Sequence, residues 1–183
     1  IDKGNPQQAS QGVLDSKDKF NNSYLSRMDS YIREGQTLKA SGKFQEAVAC
    51  FDRVISIDPC YITAYIYKGS VLRAMGKNEE AVICYDEAIK VDPKSHDAYN
   101  NLGIALQNLG KNEEAVICYN KAIEINPKAA VFHSNKGHVL RAMGKKEEAI
   151  ACYDEAIYLS NSKQPLFYCN RGRLYNDLGQ TER

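Results

Sequence analysis

The chain repeats itself with a step of 34 residues. Gly69, Gly103 and Gly137 keep that step, as do Gly76, Gly110 and Gly144, and Pro59, Pro93 and Pro127. Two further columns run through four copies: Ala47, Ala81, Ala115 and Ala149, and Cys50, Cys84, Cys118 and Cys152. A fixed period of this length builds a stack of small equivalent units with one continuous, elongated core, in place of a single globular one. The period sets units at 28–61, 62–95, 96–129 and 130–164, the fourth with one extra residue, and an incomplete fifth over 165–183. Residues 1–27 stand outside it. They are rich in Gln, Ser, Asn, Asp and Lys, and 13–26 reads as a short amphipathic helix capping the first unit, since terminal repeats need a polar outer face.

Each unit reads as two helices. In the second, Tyr65, Gly69, Leu72 and Met75 fall at helical spacing and Gly76 ends the segment. Asn78 is the expected N-cap, with Glu79 and Glu80 in the first turn, where carboxylates complement the helix dipole. Ala81, Tyr85, Ala88 and Val91 mark a buried stripe, and Asp92-Pro93 closes the unit. Gly69 and Ala81 predict a close approach of the two helices, and Tyr85 and Ala88 predict packing on the next unit. His133 stands where the other units place Tyr65 and Tyr99, which predicts a packed ring.

Composition narrows the function classes. Twenty-four basic and 23 acidic residues give a net charge of +1, which argues against a polyanion such as nucleic acid as partner. No run of about eighteen apolar residues is present, so no membrane span is expected. Six cysteines suggest disulfides by count, but four occupy one repeat position, about 10 Å apart in a stack. A disulfide needs Cα atoms within about 7 Å. Free thiols in a reducing, cytoplasmic setting are therefore expected, with Cys60 and Cys169 outside the column. Nothing in the chain reads as catalytic: it has neither a Gly-rich phosphate loop nor a nucleophile elbow. His96, His133 and His138 have poor spacing for a shared metal. The acid pairs Glu79-Glu80, Glu113-Glu114 and Glu147-Glu148 recur at helix starts, an electrostatic role rather than acid/base work. No enzyme site, cofactor or metal is expected.

The third unit reads Tyr99, Leu102, Gly103, Leu106, Gly110, Ala115, Tyr119, Ala122, Pro127. This pattern resembles the tetratricopeptide repeat family, over roughly residues 28–183. The resemblance implies an all-α, right-handed superhelical solenoid of antiparallel helix pairs, with the first helices lining a concave groove. Departures are modest: Glu34, Lys68 and Lys136 stand where Leu is usual, and Asn161 where Pro is usual. Residues 71–89 and 139–157 differ only at Asn78/Lys146, Val82/Ile150 and Ile83/Ala151. Such near-identity suggests duplication of a two-unit block and is similar to expandable bacterial arrays of this family.

The resemblance also implies which positions face a ligand. From these the candidate peptide-binding residues are Arg33, Tyr67, Arg73, Asn100, Asn101, Ile104, Asn135, His138, Arg141, Asn170 and Arg173, with Asp97, Val131 and Leu166 at the second position of their units. Asn101, Asn135 and Asn170 share the sixth position. An amide both donates and accepts, so such a ladder can pair with an extended peptide backbone. It is similar to the ladder of O-linked N-acetylglucosamine transferases, and it breaks at Tyr67 and Arg33. Arg33, Lys39, Arg73, Arg141 and Arg173 outnumber Asp29, Asp97 and Asp177 on this face, which favours an acidic or C-terminal carboxylate ligand. The fifth positions Ile32, Ile66 and Asn100 lack the Lys of the chaperone-tail clamp.

The function implied is a protein-interaction scaffold holding an extended peptide or helix in the groove. The alternative is the regulatory or substrate-recruiting region of a larger, glycosyltransferase-like enzyme. RNA binding by a helical-repeat relative is disfavoured by the 34-residue period and the near-neutral charge. Gly179-Gln180-Thr181-Glu182-Arg183 matches the start of a second helix, so a further helix is expected beyond it. Without that helix Leu174 and Leu178 are expected to be partly uncovered, leaving fraying or self-association through that end.

Overall fold

The computed structural model describes residues 24–160 and 165–177. The expected cap over 13–26 lies outside them, apart from 24–26, which begin the first helix. Among the described residues there are helices and turns but no strand. The helices are α1 over 24–40, α2 (Phe44–Ile57), α3 (Ile62–Ala74), α4 (Asn78–Val91), α5 (His96–Asn108), α6 (Asn112–Ile125), α7 (Ala130–Ala142), α8 (Lys146–Leu159) and α9 (Pro165–Asp177). The chain divides into two compact units within α3, one up to Ala64 and one from Tyr65.

In the first unit, Phe51 of α2 is fully buried against α1. A methyl group on Gly35 would lie 2.7 Å from its ring, so the position has room for hydrogen only. Met28, Val54 and Ala64 form the core beside it, with Tyr31, Ile32 and Tyr61 packed around them. In the second unit each helix from α4 to α9 packs on the next, and α5 also packs on α7. The second helices bury one stripe at helical spacing: Ala81, Cys84, Tyr85 and Ala88 in α4, and Ala115, Cys118, Tyr119 and Ala122 in α6.

Gly76 shows why the period fixes the turns. Its φ is +79°, a left-handed conformation that glycine adopts without a Cβ clash. Lys77 N–H donates to Leu72 O (2.9 Å) and Gly76 N–H to Arg73 O (3.0 Å), the paired bonds that satisfy the last carbonyls of α3. Gly42, Gly110 and Gly144 have the same positive φ. At the other end of the unit, Asp92 is extended (φ −134°, ψ 99°) before Pro93, and its Oδ1 accepts from Lys94 N–H at 2.9 Å.

Three expectations need correction. The N-cap of α4 is Lys77, without a side-chain cap bond, and Asn78 is already helical. The glycine turn sets the start one residue earlier, and Lys77 Nζ then pairs with Glu80 at 2.8 Å. The tyrosine column packs on both sides: Tyr153 clusters with Leu174 of the next unit, and each ring also lies on the glycine of its own unit, Tyr85 on Gly69, where a Cβ would be 2.7 Å from Cε1, Tyr119 on Gly103 and Tyr153 on Gly137. His133 is only half-buried, with Nε2 3.1 Å from Pro127 O. Tyr65 and Tyr99 at the same repeat position are half-buried too, and the buried position is the one before it, Ala64, Ala98 and Phe132. Leu174 is fully buried in a cluster with Leu140, Ala149 and Tyr153, so α8 and α7 already cover it. Leu178 lies outside the described residues.

All six cysteines are free. Burial, first among its causes, raises the Cys118 thiol to about 11, and it likewise raises Cys50 and Cys152. These column thiols pack as small apolar groups.

Candidate functional site

Within the second unit the first helix of each pair carries the same stripe. On α5 it is Asp97, Asn101 and Ile104; on α7, Val131, Asn135 and His138; on α9, Leu166, Asn170 and Arg173. Steps of four and three residues put each set on one helix face. Two hydrogen bonds tie adjacent stripes. Asn135 Nδ2 donates to Asn100 Oδ1 at 2.9 Å, joining α7 to α5. Asn170 Nδ2 donates to His138 Nε2 at 3.0 Å, joining α9 to α7. The second bond requires a neutral imidazole with its proton on Nδ1.

The three amides of the column have different surroundings. Asn101 Nδ2 donates to Asp97 O of its own helix at 2.8 Å. Asn135 is partly buried. Asn170 is only 3 % exposed and turns toward His138 rather than outward. The repeat column therefore places them equivalently on the backbone but not in environment, because the partner in the neighbouring helix differs.

Beneath this face lie the tyrosines of the second helices. Tyr119 OH reaches Gln107 Oε1 at 3.4 Å. Tyr153 stands edge-on to His138, with ring centroids 5.5 Å apart, and its hydroxyl is buried with no hydrogen-bond partner among the described residues. Burial raises the hydroxyl pKa of Tyr85, Tyr119 and Tyr153. The nearby charge of Arg73 opposes this at Tyr85 and Tyr119, and that of Arg141 at Tyr153. His138 is held below the ordinary histidine value by burial first, then by the charges of Arg141 and Arg173. Arg73 and Arg141 are partly buried and Arg173 is exposed. Among the described residues no carboxylate pairs with any of the three, whereas Lys77, Lys111 and Lys145 each pair with a Glu three residues on.

The structure thus brings together Asn100 with Asn135, and His138 with Asn170, Arg141 and Arg173. Ile104 and Tyr67 lie partly buried on α5 and α3. Arg33 belongs to the first unit, where it is exposed and its Nε donates to Asp29 O at 3.4 Å. Column reading missed Asn78, whose Oδ1 accepts from Asn108 Nδ2 at 3.0 Å, because the pair comes from different repeat positions. It also missed the buried hydroxyls of Tyr85 and Tyr153. Among the described residues no cluster of His, Cys, Asp and Glu is arranged to hold a metal. No described helix is long and apolar enough to cross a membrane.

Antiparallel helix pairs, locked by a glycine–aromatic contact once per unit and presenting a shared polar stripe, define an all-α helical-repeat solenoid. Sequence families described as tetratricopeptide repeat match residues 29–59, 96–129 and 130–162, and a TPR repeat family matches 69–110. The chain belongs to the tetratricopeptide repeat family. No curated protein sequence matches it. Among solved structures, PilF of Pseudomonas aeruginosa is similar at a TM-score of 0.77 and 22% identity, covering 86% of this chain and 71% of that one. YrrB, described as a TPR protein with an unusual peptide-binding site, is similar at 0.63 and 22%, covering 83% and 78%. The first TPR of Spaghetti, bound to an HSP90 peptide, is similar at 0.61 and 21%, covering 65% and 94%. At these identities the likeness establishes the fold.

Proposed function

We propose that the chain is a protein-interaction scaffold that holds an extended peptide across the stripes of α5, α7 and α9. The observation that carries this is the register of those stripes. Asn101 of α5 and Asn135 of α7 stand at equivalent positions, and the Asn135–Asn100 and Asn170–His138 bonds tie the three first helices together. Asn101 and Asn135 keep donor or acceptor capacity beyond the bond each makes, while Asn170 fixes His138. The peptide-binding site named for YrrB and the peptide bound to Spaghetti support the reading by analogy of fold. Micromolar affinity requires only about 8 kcal/mol net, within reach of several hydrogen bonds and one or two apolar contacts. The free thiols support a reducing, cytoplasmic setting.

The test is a fluorescein-labelled peptide, selected on the chain from a random heptapeptide library. Its affinity is compared for the parent and for Asn101→Ala with Asn135→Ala. About a tenfold loss is expected. Equal affinity would place the peptide elsewhere and end the proposal.

A further inference from the structure

A second recess opens on the other side of α5. Leu102 and Leu106 each stand two residues from Ile104, about 200° of turn, so they point away from the stripe that carries it. They floor a cleft of about 280 Å³ between the second helices α4 and α6, with Val82 and Asp86 on one wall and Glu114 and Ile117 on the other. That volume suits one or two side chains rather than a cofactor. Ile117 is 63% exposed at the rim, and Ile83, its counterpart in α4, is 62% exposed. Asp86 makes no hydrogen bond or ion pair among the described residues. Lys90, the cation that bears on it, is held by Glu87 at 2.6 Å. Glu114 has only the exposed Lys111, at 3.7 Å.

The chain treats the same place differently one unit on. There Leu102 becomes Lys136, Asp86 becomes Asn120 and Ile117 becomes Ala151. The cysteine column reports the change in charge. Burial first, then the charges of Asp86 and Glu114, raise the Cys118 thiol. Burial also raises Cys152, but there the charge of Lys136 opposes it. One level thus carries its own lysine beside the column, and the α4–α6 level carries two carboxylates over a leucine floor.

We propose that the α4–α6 cleft binds a segment of a second protein that carries a lysine or arginine beside an apolar side chain, on the side of α5 opposite the amide stripe. The apolar side chain and the aliphatic stem of the base lie on Leu102, Leu106 and Ile117, and the cationic head reaches Asp86 and Glu114. Charge complementarity selects this occupant. Carboxylates on both walls repel a phosphate-bearing ligand or an acidic surface, and a wholly apolar segment would desolvate Asp86 without pairing it. The cleft shares no residue with the stripe of the peptide-binding reading, so either can fail without the other.

The experiment uses the full 183-residue chain and the labelled peptide Ser-Leu-Lys-Ser-Leu-Lys-Ser, with its Gln-for-Lys, Glu-for-Lys and Ser-for-Leu analogues. The Lys peptide should bind about fivefold more tightly than the Gln analogue and about tenfold more tightly than the Ser analogue. The first gap should shrink as salt rises. Asp86→Asn, Leu102→Lys and Ile117→Ala together give this level the residues that the chain itself carries one unit on, so the variant should fold. It should bind the Lys peptide about tenfold more weakly. Asp86→Lys alone should move the preference toward the Glu peptide, a gain that a misfolded chain cannot show. Asn101→Ala with Asn135→Ala should leave binding of the Lys peptide unchanged. Equal binding by the triple variant and the parent overturns the proposal. So does weakened binding by the asparagine pair, which would put the peptide on the stripe. Equal binding of the Lys and Gln peptides at low salt, or no binding of the Lys peptide, also overturns it. Self-association in sedimentation that the triple variant abolishes would overturn it in favour of a second copy as the occupant.

Discussion

Replacing Gly103 with Ala should destabilise the chain, although Ala is the better helix former. A methyl group at 103 would lie 2.8 Å from Tyr119 Cε1, 2.9 Å from Cζ and 3.1 Å from Cδ1. These are ring atoms of a fully buried side chain whose hydroxyl is held 3.4 Å from Gln107, so the ring has little room to swing. Forcing an extra carbon into such a site costs about 1–3 kcal/mol. The helix returns about 1 kcal/mol or less when Gly becomes Ala. The net loss is about 1–2 kcal/mol. Urea unfolding followed by far-UV circular dichroism measures it, in the parent background and with Tyr119→Leu, which makes room for the methyl. Hydrogen exchange over α5 and α6 should accompany it, because a repeat array loosens locally. A Gly103→Ala chain as stable as the parent would refute the ring-contact account. So would a cost that persists undiminished in the Tyr119→Leu background.

Two other glycines test the same logic with different signs. Gly110→Ala meets nothing within 4 Å but has φ +76°, so backbone strain alone should cost about 1–2 kcal/mol by urea melt. Gly172 sits at the Gly103 position of its unit with nothing within 4 Å, so Gly172→Ala should be neutral or stabilising by up to about 1 kcal/mol; a loss would show an unseen contact. His138 titrates below its ordinary value of 6.5. As pH falls through about 6.5 the unfolded chain takes the proton first, so stability falls with decreasing pH until the folded state is protonated too. His138→Gln should flatten that slope in thermal melts between about pH 7 and 5, and an unchanged slope would assign it to other groups. Cys60 and Cys169 are exposed and should react rapidly with a disulfide reagent in the native state. The buried Cys50, Cys84 and Cys118 should react slowly until denaturant is added, and fast labelling of Cys118 by mass spectrometry would contradict its raised pKa.

The site was legible in the sequence in one respect and not in another. Residues that share a helix face, such as Val131, Asn135 and His138, follow from the 3.6-residue period and need no tertiary information. The bonds between faces do not follow. Asn135 meets Asn100, 35 residues away, and Asn170 meets His138, 32 residues away. Comparing sixth position with sixth position finds a ladder of amides but misses partners at the fifth and ninth. The offset comes from how neighbouring helices lie against each other, which no column records. For the same reason Asn170 looked like a ligand contact, while its burial makes it a support for His138.

What the sequence determined by itself is local. Gly76 and its equivalents end helices because only glycine adopts their φ cheaply, and Asp92-Pro93 ends the unit because the ring of proline forbids helix before it. Columns of Ala, Cys and Tyr at helical spacing then have to be buried. Only the tertiary structure decided what each buried group touches. It set the Tyr85 ring on Gly69 of its own unit, left His133 only half-buried, and covered Leu174 with α7 and α8. Those choices depend on the close packing of side chains from different helices, where a few tenths of an ångström separate contact from clash. Repetition along the chain specifies which residues must be buried, but not which neighbour buries them.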